Sequence, residues 1–211
     1  MIFKRTILLV LFLGLIITAR AQYFSAGQDP ASVNWLQINT EHFQIIFPES
    51  FDEKADYVAN ILDYSYEKIS YSLDHKPKKI SVILHNQTIE SNGFVSPTPY
   101  RMELFSVPSS NNLTMPWLEH LCIHELRHVV QIDKLNQGVT KVLSYLFGQQ
   151  ATGAAAGLLP FWFLEGDAVL AETALTPNGR GRKSAHAKEL KSILLDSAKT
   201  FSFNKMLLGS Y

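Results

Sequence analysis

Residues 117–130 read WLEHLCIHELRHVV, and this stretch decides how the rest of the chain is interpreted. Within it, His124-Glu125-Leu126-Arg127-His128 fits the pattern H-E-x-x-H. At 3.6 residues per turn, two residues four apart lie about 40° apart around a helix axis and about 6 Å apart along it. The two imidazoles therefore leave the helix on one face and can converge on one metal ion. Glu125 lies one step around the helix, beside the position where a water molecule would sit.

Two alternatives stay open for this pattern. Chance produces H-E-x-x-H in about one chain in a hundred of this composition. A core network of His124, Glu125 and Arg127 without a metal is the other alternative. The apolar neighbours at residues 121–123 and at Val129 predict a buried helix, and burying these polar groups is costly unless they are paired or bind metal. The pattern therefore favours a zinc site.

A catalytic zinc ion usually has three protein ligands and one open position. Residues 161–168 read FWFLEGDA, and Glu165 is an acid among apolar residues on a predicted helix. We expect Glu165 to be the third ligand, with Gly166 allowing another helix to approach. The alternative is that Glu165 only pairs with a core arginine or histidine.

These two motifs resemble the gluzincin clan of zinc peptidases, to which thermolysin and the aminopeptidases belong. The chain is similar in particular to the peptidase-MA-like domains that precede a β-propeller in bacterial envelope proteins. The resemblance covers roughly residues 30–211 and implies zinc ligation by His124, His128 and Glu165, with Glu125 as the general base. It also implies a substrate-binding edge strand, which Gly93, Phe94 and Val95 would begin.

The sequence departs from that family in its supporting residues. The resemblance implies an acid four residues after the glutamate ligand, where this chain has Val169. Asp167 or Glu172 would then have to orient a ligand histidine, or the role goes unfilled. The family also uses a tyrosine or histidine to stabilise the oxyanion, and Tyr211 and His186 are the candidates here.

Two further side chains on the central helix have open roles. His120 extends the stripe of His124 and His128, either as a polar residue at the rim of the pocket or as a contact behind the ligands. Arg127 faces away from the ligand histidines, and we expect it to pair with an acid such as Asp133 or Glu172.

The hydrophobic pattern predicts an α+β domain of zincin-like type, with a small N-terminal mixed sheet and a helical active-site half. Residues 91–110 are rich in glycine and proline and predict a hairpin or edge strand. Ser50 is expected to cap the first helix. The predicted strands are 33–38, 42–47 and 79–84, and the predicted helices are 51–73, 116–134, 161–175 and 184–198.

Residues 1–21 have the features of a signal peptide, with Lys4 and Arg5 before an apolar run and Ala19-Arg20-Ala21 as the cleavage pattern. An uncleaved anchor is the alternative. We expect export to the periplasm, the outer envelope or the medium, with residues 22–211 forming the peptidase-like domain and further domains following it. Cys122 is the only cysteine, and we expect it to be buried. The formal net charge is zero, which argues against nucleic acid as a partner.

Residues 142–159 are apolar, but Gln149, Gln150 and Thr152 interrupt them. We expect a helical hairpin packed on the domain and no stable transmembrane span in the mature chain; the alternative is a lid that dips into a membrane. The expected function is zinc-dependent hydrolysis of peptides. The alternative is an inactive peptidase-like module that serves binding or assembly in a β-propeller envelope protein.

Overall fold

The computed structural model describes residues 29–110 and 115–197 of the 211-residue chain. The predicted signal peptide at residues 1–21 and Tyr211 lie outside the described residues. The described chain begins with strands that form one sheet. They are β1 (Trp35–Asn39), β2 (Phe43–Pro48), β3 (Ile80–His85), β4 (Gly93–Pro97) and β5 (Tyr100–Phe105).

The sheet is mixed, with strand order β1-β2-β3-β5-β4. The pairs β1/β2 and β4/β5 are antiparallel, whereas β3 runs parallel to both β2 and β5. Parallel neighbours need a crossover, which helix α1 (Asp52–Tyr71) provides between β2 and β3. The β4–β5 hairpin places β4 at one edge, in register from Gly93 opposite Leu104 to Pro97 opposite Tyr100. The predicted hairpin and edge strand are thus confirmed.

One face of the sheet forms the core because large apolar side chains recur at every second position. Phe43 and Ile45 of β2, with Val82 and Leu84 of β3, are fully buried against α1, whose Leu62 faces them. Burying such side chains contributes about 1.5–3 kcal/mol each, which makes this layer the foundation of the fold.

The second half of the described chain is helical. Its elements are α2 (Trp117–Lys134), α3 (Gly138–Phe147), α4 (Gln149–Gly157), α5 (Phe161–Leu175) and α6 (Lys188–Ser197), with a 3-10 turn (Arg180–Arg182) after α5. α2 lies between α1 on one side and α5 on the other. Cys122 is buried within it, as expected. The α+β class predicted from the sequence is confirmed.

The expected cap at Ser50 is wrong. Ser50 lies inside a 3-10 turn (Glu49–Phe51), and α1 begins at Asp52 without a side-chain cap. The Ser50 hydroxyl instead accepts a hydrogen bond of 3.1 Å from the Asn86 side-chain amide. A contact between distant segments has therefore replaced the local one.

The expectation that residues 142–159 pack on the domain holds for α4 and fails for α3. The Gln149 side chain at the start of α4 accepts a hydrogen bond of 2.9 Å from the Tyr100 backbone, whereas no residue of α3 is buried. Within residues 29–110 and 115–197, no single helix has the length and apolar character to cross a bilayer. α4 and α5 meet that criterion as a pair, but the pair is bent by 94°.

Candidate metal centre

The two histidines of H-E-x-x-H face each other across one turn of α2. Their Nε2 atoms lie 3.2 Å apart. Both imidazoles are largely buried, because α2 is enclosed by α1, α5 and the sheet. The helical spacing read from the sequence is thus the arrangement in the fold.

α5 brings the Glu165 carboxylate to the same point. Glu165 Oε2 lies 3.3 Å from His124 Nε2, and Glu165 Oε1 lies 3.3 Å from His128 Nε2. We call these three groups the donor triangle: the two Nε2 atoms lie 3.2 Å apart, and each faces a different oxygen of the one carboxylate. Ligand atoms about 2.0–2.1 Å from a tetrahedral zinc ion lie about 3.3 Å from one another, so these pairwise spacings are of the size that zinc ligation requires.

The electrostatics of the triangle follow from the proximity of the acid to the imidazoles. Hydrogen bonds with His124 and His128 hold the pKa of Glu165 well below its usual range. Burial opposes a charge on His124, but its hydrogen bonds with Glu165 and Glu172 outweigh burial and raise the pKa of His124 to about 9. Protons and a divalent cation would therefore compete for these donors.

Glu125 is buried beside the triangle in a cleft of about 890 Å³. Burial raises the pKa of its carboxyl, and its Oε2 atom is buried without a hydrogen-bond partner. A buried oxygen without a partner is costly, so a ligand or water in the cleft is expected to meet it. This is the placement that a general base needs.

A buried carboxylate supports His124 from behind. Glu172 Oε2 lies 3.1 Å from His124 Nδ1 and 3.1 Å from His120 Nε2. Arg180 completes the cluster, since its Nε and backbone N donate to Glu172 Oε1 at 2.8 and 3.0 Å. Burial alone would raise the pKa of Glu172, but these three partners lower it well below the usual range.

The position of Arg180 brings a guanidinium close to the imidazole as well. Arg180 Nη2 lies 2.7 Å from His124 Nδ1 and 3.2 Å from Glu172 Oε2. Glu172 thus takes the orienting position that Val169 cannot fill, and His120 is a buried contact of Glu172 rather than a residue at the rim.

His128 contacts the neutral side chain of Gln131, whereas His124 contacts the carboxylate of Glu172. Its Nδ1 lies 2.8 Å from Gln131 Oε1, and the Gln131 amide donates to Asp167 Oδ2 at 2.7 Å and to the Leu164 carbonyl at 3.0 Å. Asp167 in turn accepts two hydrogen bonds from Arg127, at 2.6 and 2.9 Å. Asp167 therefore reaches a ligand histidine only through Gln131.

Two expectations about neighbouring residues are wrong, and two residues of the site were not expected. Arg127 pairs with Asp167, not with Asp133 or Glu172, because α5 crosses α2 at that level. Among the described residues, no atom beyond the backbone of α5 lies within 4 Å of a Cβ atom built on Gly166, so no other helix packs against it there. Sequence reasoning missed Gln131 and Arg180; only Gln131 carried a signal, since it lies three residues after His128 on the same helix.

The edge strand lies directly over the base. Gly93, Phe94 and Val95 line the cleft, and a Cβ atom built on Gly93 would lie 2.9 Å from Glu125 Cγ and 2.7 Å from Leu121 Cδ1. A side chain at position 93 would force Leu121 or Glu125 to shift, so glycine allows this close approach of strand to helix. His186 also lines the cleft.

Comparison with known proteins adds little to this picture. No family model matches the chain, and no solved structure matches it. A protein of Treponema pallidum (strain Nichols), described as uncharacterized, is 31% identical over 103 residues, which are 46% of this chain and 10% of that protein. The chain thus spans about a tenth of the length of this relative.

Proposed function

We propose that this chain is a gluzincin-like zinc peptidase domain that hydrolyses peptide bonds. The observation that carries the proposal is the donor triangle of His124, His128 and Glu165: the two Nε2 atoms lie 3.2 Å apart, and each lies 3.3 Å from a different oxygen of the Glu165 carboxylate. Simple ion pairing would bring an acid to one imidazole. Here both oxygens of one carboxylate face two imidazoles whose Nε2 atoms also face each other.

The donor set fits zinc. Two imidazole nitrogens and one carboxylate oxygen form a common catalytic zinc shell, which leaves a further position open. When bound, zinc lowers the pKa of a water molecule and polarises a carbonyl group. The chain's own contribution is to hold the three donors in place, through Glu172 behind His124 and Gln131 behind His128.

Glu125 is the proposed general base. It lies in the cleft beside the donor triangle, and its unpartnered Oε2 would accept the proton of the attacking water. The same carboxyl would then deliver that proton to the leaving amine. Burial raises its pKa toward the range where both transfers are efficient.

The substrate would lie along β4. This strand is at the sheet edge, and its residues from Gly93 to Val95 line the cleft. An extended peptide can add to such an edge through backbone hydrogen bonds, which would bring its scissile bond past Glu125.

The remaining parts of the proposal concern the cell and the longer protein. Residues 1–21 would direct export, placing the domain in the periplasm, the outer envelope or the medium. The resemblance adds a C-terminal β-propeller as a proposed partner domain. Peptides or proteins in that compartment would be the substrates.

The test measures zinc content and peptide cleavage on the same samples. Glu125→Gln should retain about one zinc ion per chain and lose turnover by about 10²–10⁴-fold, because it keeps the donors and removes the base. His128→Ala should lose the zinc. The matched control is Glu119→Gln on the same helix, whose side chain contacts Tyr57. A wild-type protein that binds no zinc removes the proposal, and one that binds zinc but cleaves no peptide supports the inactive binding module.

A further inference from the structure

The α3 helix exposes its large apolar side chains and partly shields its small polar ones, which is the reverse of the usual arrangement of a surface helix. Its small polar residues Thr140 and Ser144, four apart, are partly shielded. Its large apolar residues Val142, Tyr145 and Leu146 are 62%, 78% and 78% exposed. Surface helices normally turn the apolar side inward, because exposed apolar area costs free energy. Something outside the described residues is therefore expected to cover this side of α3.

The outward side of α3 consists almost wholly of hydrocarbon and aromatic groups. We call it the apolar ridge; it comprises Val139, Val142, Leu143, Tyr145, Leu146 and Phe147. A non-obligate protein interface is about as polar as the rest of a protein surface, a homodimer interface is more apolar, and a typical interface carries several direct hydrogen bonds. The ridge offers a single hydroxyl, on Tyr145, so its chemistry fits lipid better than protein.

The charged residues around α3 also favour lipid as the partner. Across residues 135–164 the sequence has no aspartate or glutamate, and Lys141 is the one charged residue. Lys141 is exposed on α3 itself. Helices that lie in a membrane interface combine apolar and aromatic side chains with lysine or arginine, which attract anionic headgroups.

We propose that α3 lies in the interface of an anionic lipid bilayer, with its axis along the surface and the apolar ridge inserted. Its ten residues extend about 15 Å, half of the roughly 30 Å of a hydrocarbon core, so α3 cannot cross. Gly138 and Gly148 lie at the two ends of the helix with φ of +54° and +60°, and among the described residues no atom beyond their chain neighbours and the helix backbone lies within 4 Å of a Cβ atom built on either.

The bilayer would then lie close to the cleft. α4, which follows α3, is joined to the β4–β5 turn: the Gln149 side chain accepts from the Tyr100 backbone at 2.9 Å, and Thr98 Oγ1 donates to the Gln149 carbonyl at 3.3 Å. β4 is the strand proposed to hold the substrate. As a consequence that rests on the proposed function, the substrates would be polypeptide segments close to a membrane surface.

A fluorescent probe on α3 tests the inference. Cys122 is buried, so a thiol reagent will label a new surface cysteine selectively. The full chain with Leu146→Cys receives an environment-sensitive fluorophore and is titrated with phosphatidylglycerol–phosphatidylcholine vesicles. We expect a blue shift in emission, with little shift on vesicles of phosphatidylcholine alone. Adding Val142→Glu should raise the lipid concentration at the midpoint about tenfold, through lost apolar burial and charge repulsion.

The matched control places the same fluorophore at Ile89→Cys, which is 96% exposed in the loop before β4. Residues 1–21 are themselves apolar, so a local probe is needed rather than total binding. An unchanged spectrum at position 146, or an equal shift at position 89, overturns the proposal. A shift that grows with protein concentration without vesicles overturns it in favour of a second copy of the chain. Neither zinc nor turnover enters the readout, so failure here leaves the hydrolysis proposal standing.

Discussion

Two regions of this molecule bury a histidine between two carboxylates, and their geometries differ. On the outer face of the sheet, His85 Nδ1 lies 2.5 Å from Asp29 and Nε2 lies 3.1 Å from Glu103. In the cleft, His124 lies between Glu165 and Glu172 at 3.3 and 3.1 Å. Both imidazoles have raised pKa values, and in both cases hydrogen bonds to acids outweigh burial.

The two histidines differ in the groups that face their Nε2 atoms. Each nitrogen of His85 meets one acid, and its ring stacks on Phe105 at 4.7 Å, so the cluster is closed. Nε2 of His124 meets both Glu165 and the Nε2 of His128. A buried histidine beside acids is thus not by itself a sign of a metal site, whereas convergence of three donors on one point is.

The largest expected effect comes from removing the acid behind each histidine. Glu172→Gln and Glu103→Gln each leave buried cations without their carboxylate, and each should lower the free energy of unfolding by about 3–5 kcal/mol, less where solvent reaches the partner. Urea denaturation of zinc-free protein measures this. Zinc affinity should separate the two variants, because Glu172 orients a donor: we expect a loss of about 10–100-fold for Glu172→Gln.

Glu103→Gln is the matched control, since it removes the same chemistry away from the donors. Its zinc affinity should stay within about twofold of wild type, well below the effect of losing a supporting residue. Equal zinc affinities in both variants would contradict the view that the two clusters differ in kind.

How far the sequence predicts these clusters depends on whether the contacts are local. The bounds of α5 and the facing of His124 and His128 follow from helical periodicity, which a single segment contains. The pairing of Arg127 with Asp167 depends on where α5 crosses α2, and sequence spacing does not contain that information. Arg180 lies beyond a turn and carried no signal.

The sequence did lead to a prediction for α3, but that prediction was wrong. The polar residues that interrupt residues 142–159, and the need for Glu165 to return to His128, predicted a helical hairpin packed on the domain. Composition states that a side chain avoids water but not what covers it, so the prediction was wrong for α3 although it held for α4. The metal role of the three donors stays a prediction, to be decided by zinc analysis.

An intermediate effect is expected at Gly93, where the strand meets the base. A methyl group there would lie 2.9 Å from Glu125 Cγ and 2.7 Å from Leu121 Cδ1. Gly93→Ala should therefore cost about 1–3 kcal/mol of stability through overpacking and displace the base. Turnover should fall by about tenfold or more, as 1.4 kcal/mol of lost transition-state stabilisation would give. Peptide cleavage and urea denaturation, measured together, test this.

Gly166→Ala is the control for Gly93→Ala, since no described residue beyond the backbone of α5 lies within 4 Å of a Cβ atom built at position 166, in the interior of that helix. Alanine in an exposed helix favours folding by about 0.5–1 kcal/mol over glycine. Turnover that survives Gly93→Ala unchanged would show that the approach of β4 to α2 does not position Glu125.

The smallest expected effect is a pH dependence that distinguishes the two histidines. The folded-state pKa of His85 is raised above 6.5, so its contribution to stability is complete below pH 6.5 and is lost as pH rises through that raised value. Glu103 acts in the other direction. Burial works against its charge, but His85 and Arg101 lower its pKa, so its contribution is complete above pH 4.5 and is lost as pH falls.

At alkaline pH, zinc should distinguish the contribution of His124 to stability from the contribution of His85. In zinc-free protein, His124 has a pKa of about 9, so its stabilisation fades between pH 6.5 and 9, as that of His85 does over its own range. If the proposed site binds zinc, saturating zinc would replace the proton on His124, whereas His85 offers no donor triangle for zinc to occupy. Urea denaturation across this pH range, with zinc and with chelator, gives the slope of the unfolding free energy against pH. One part of that slope should disappear when zinc is added, and a second part should disappear only in His85→Gln. If zinc abolishes both parts, the cluster at His85 is coupled to the metal centre, and the two regions form one titrating unit.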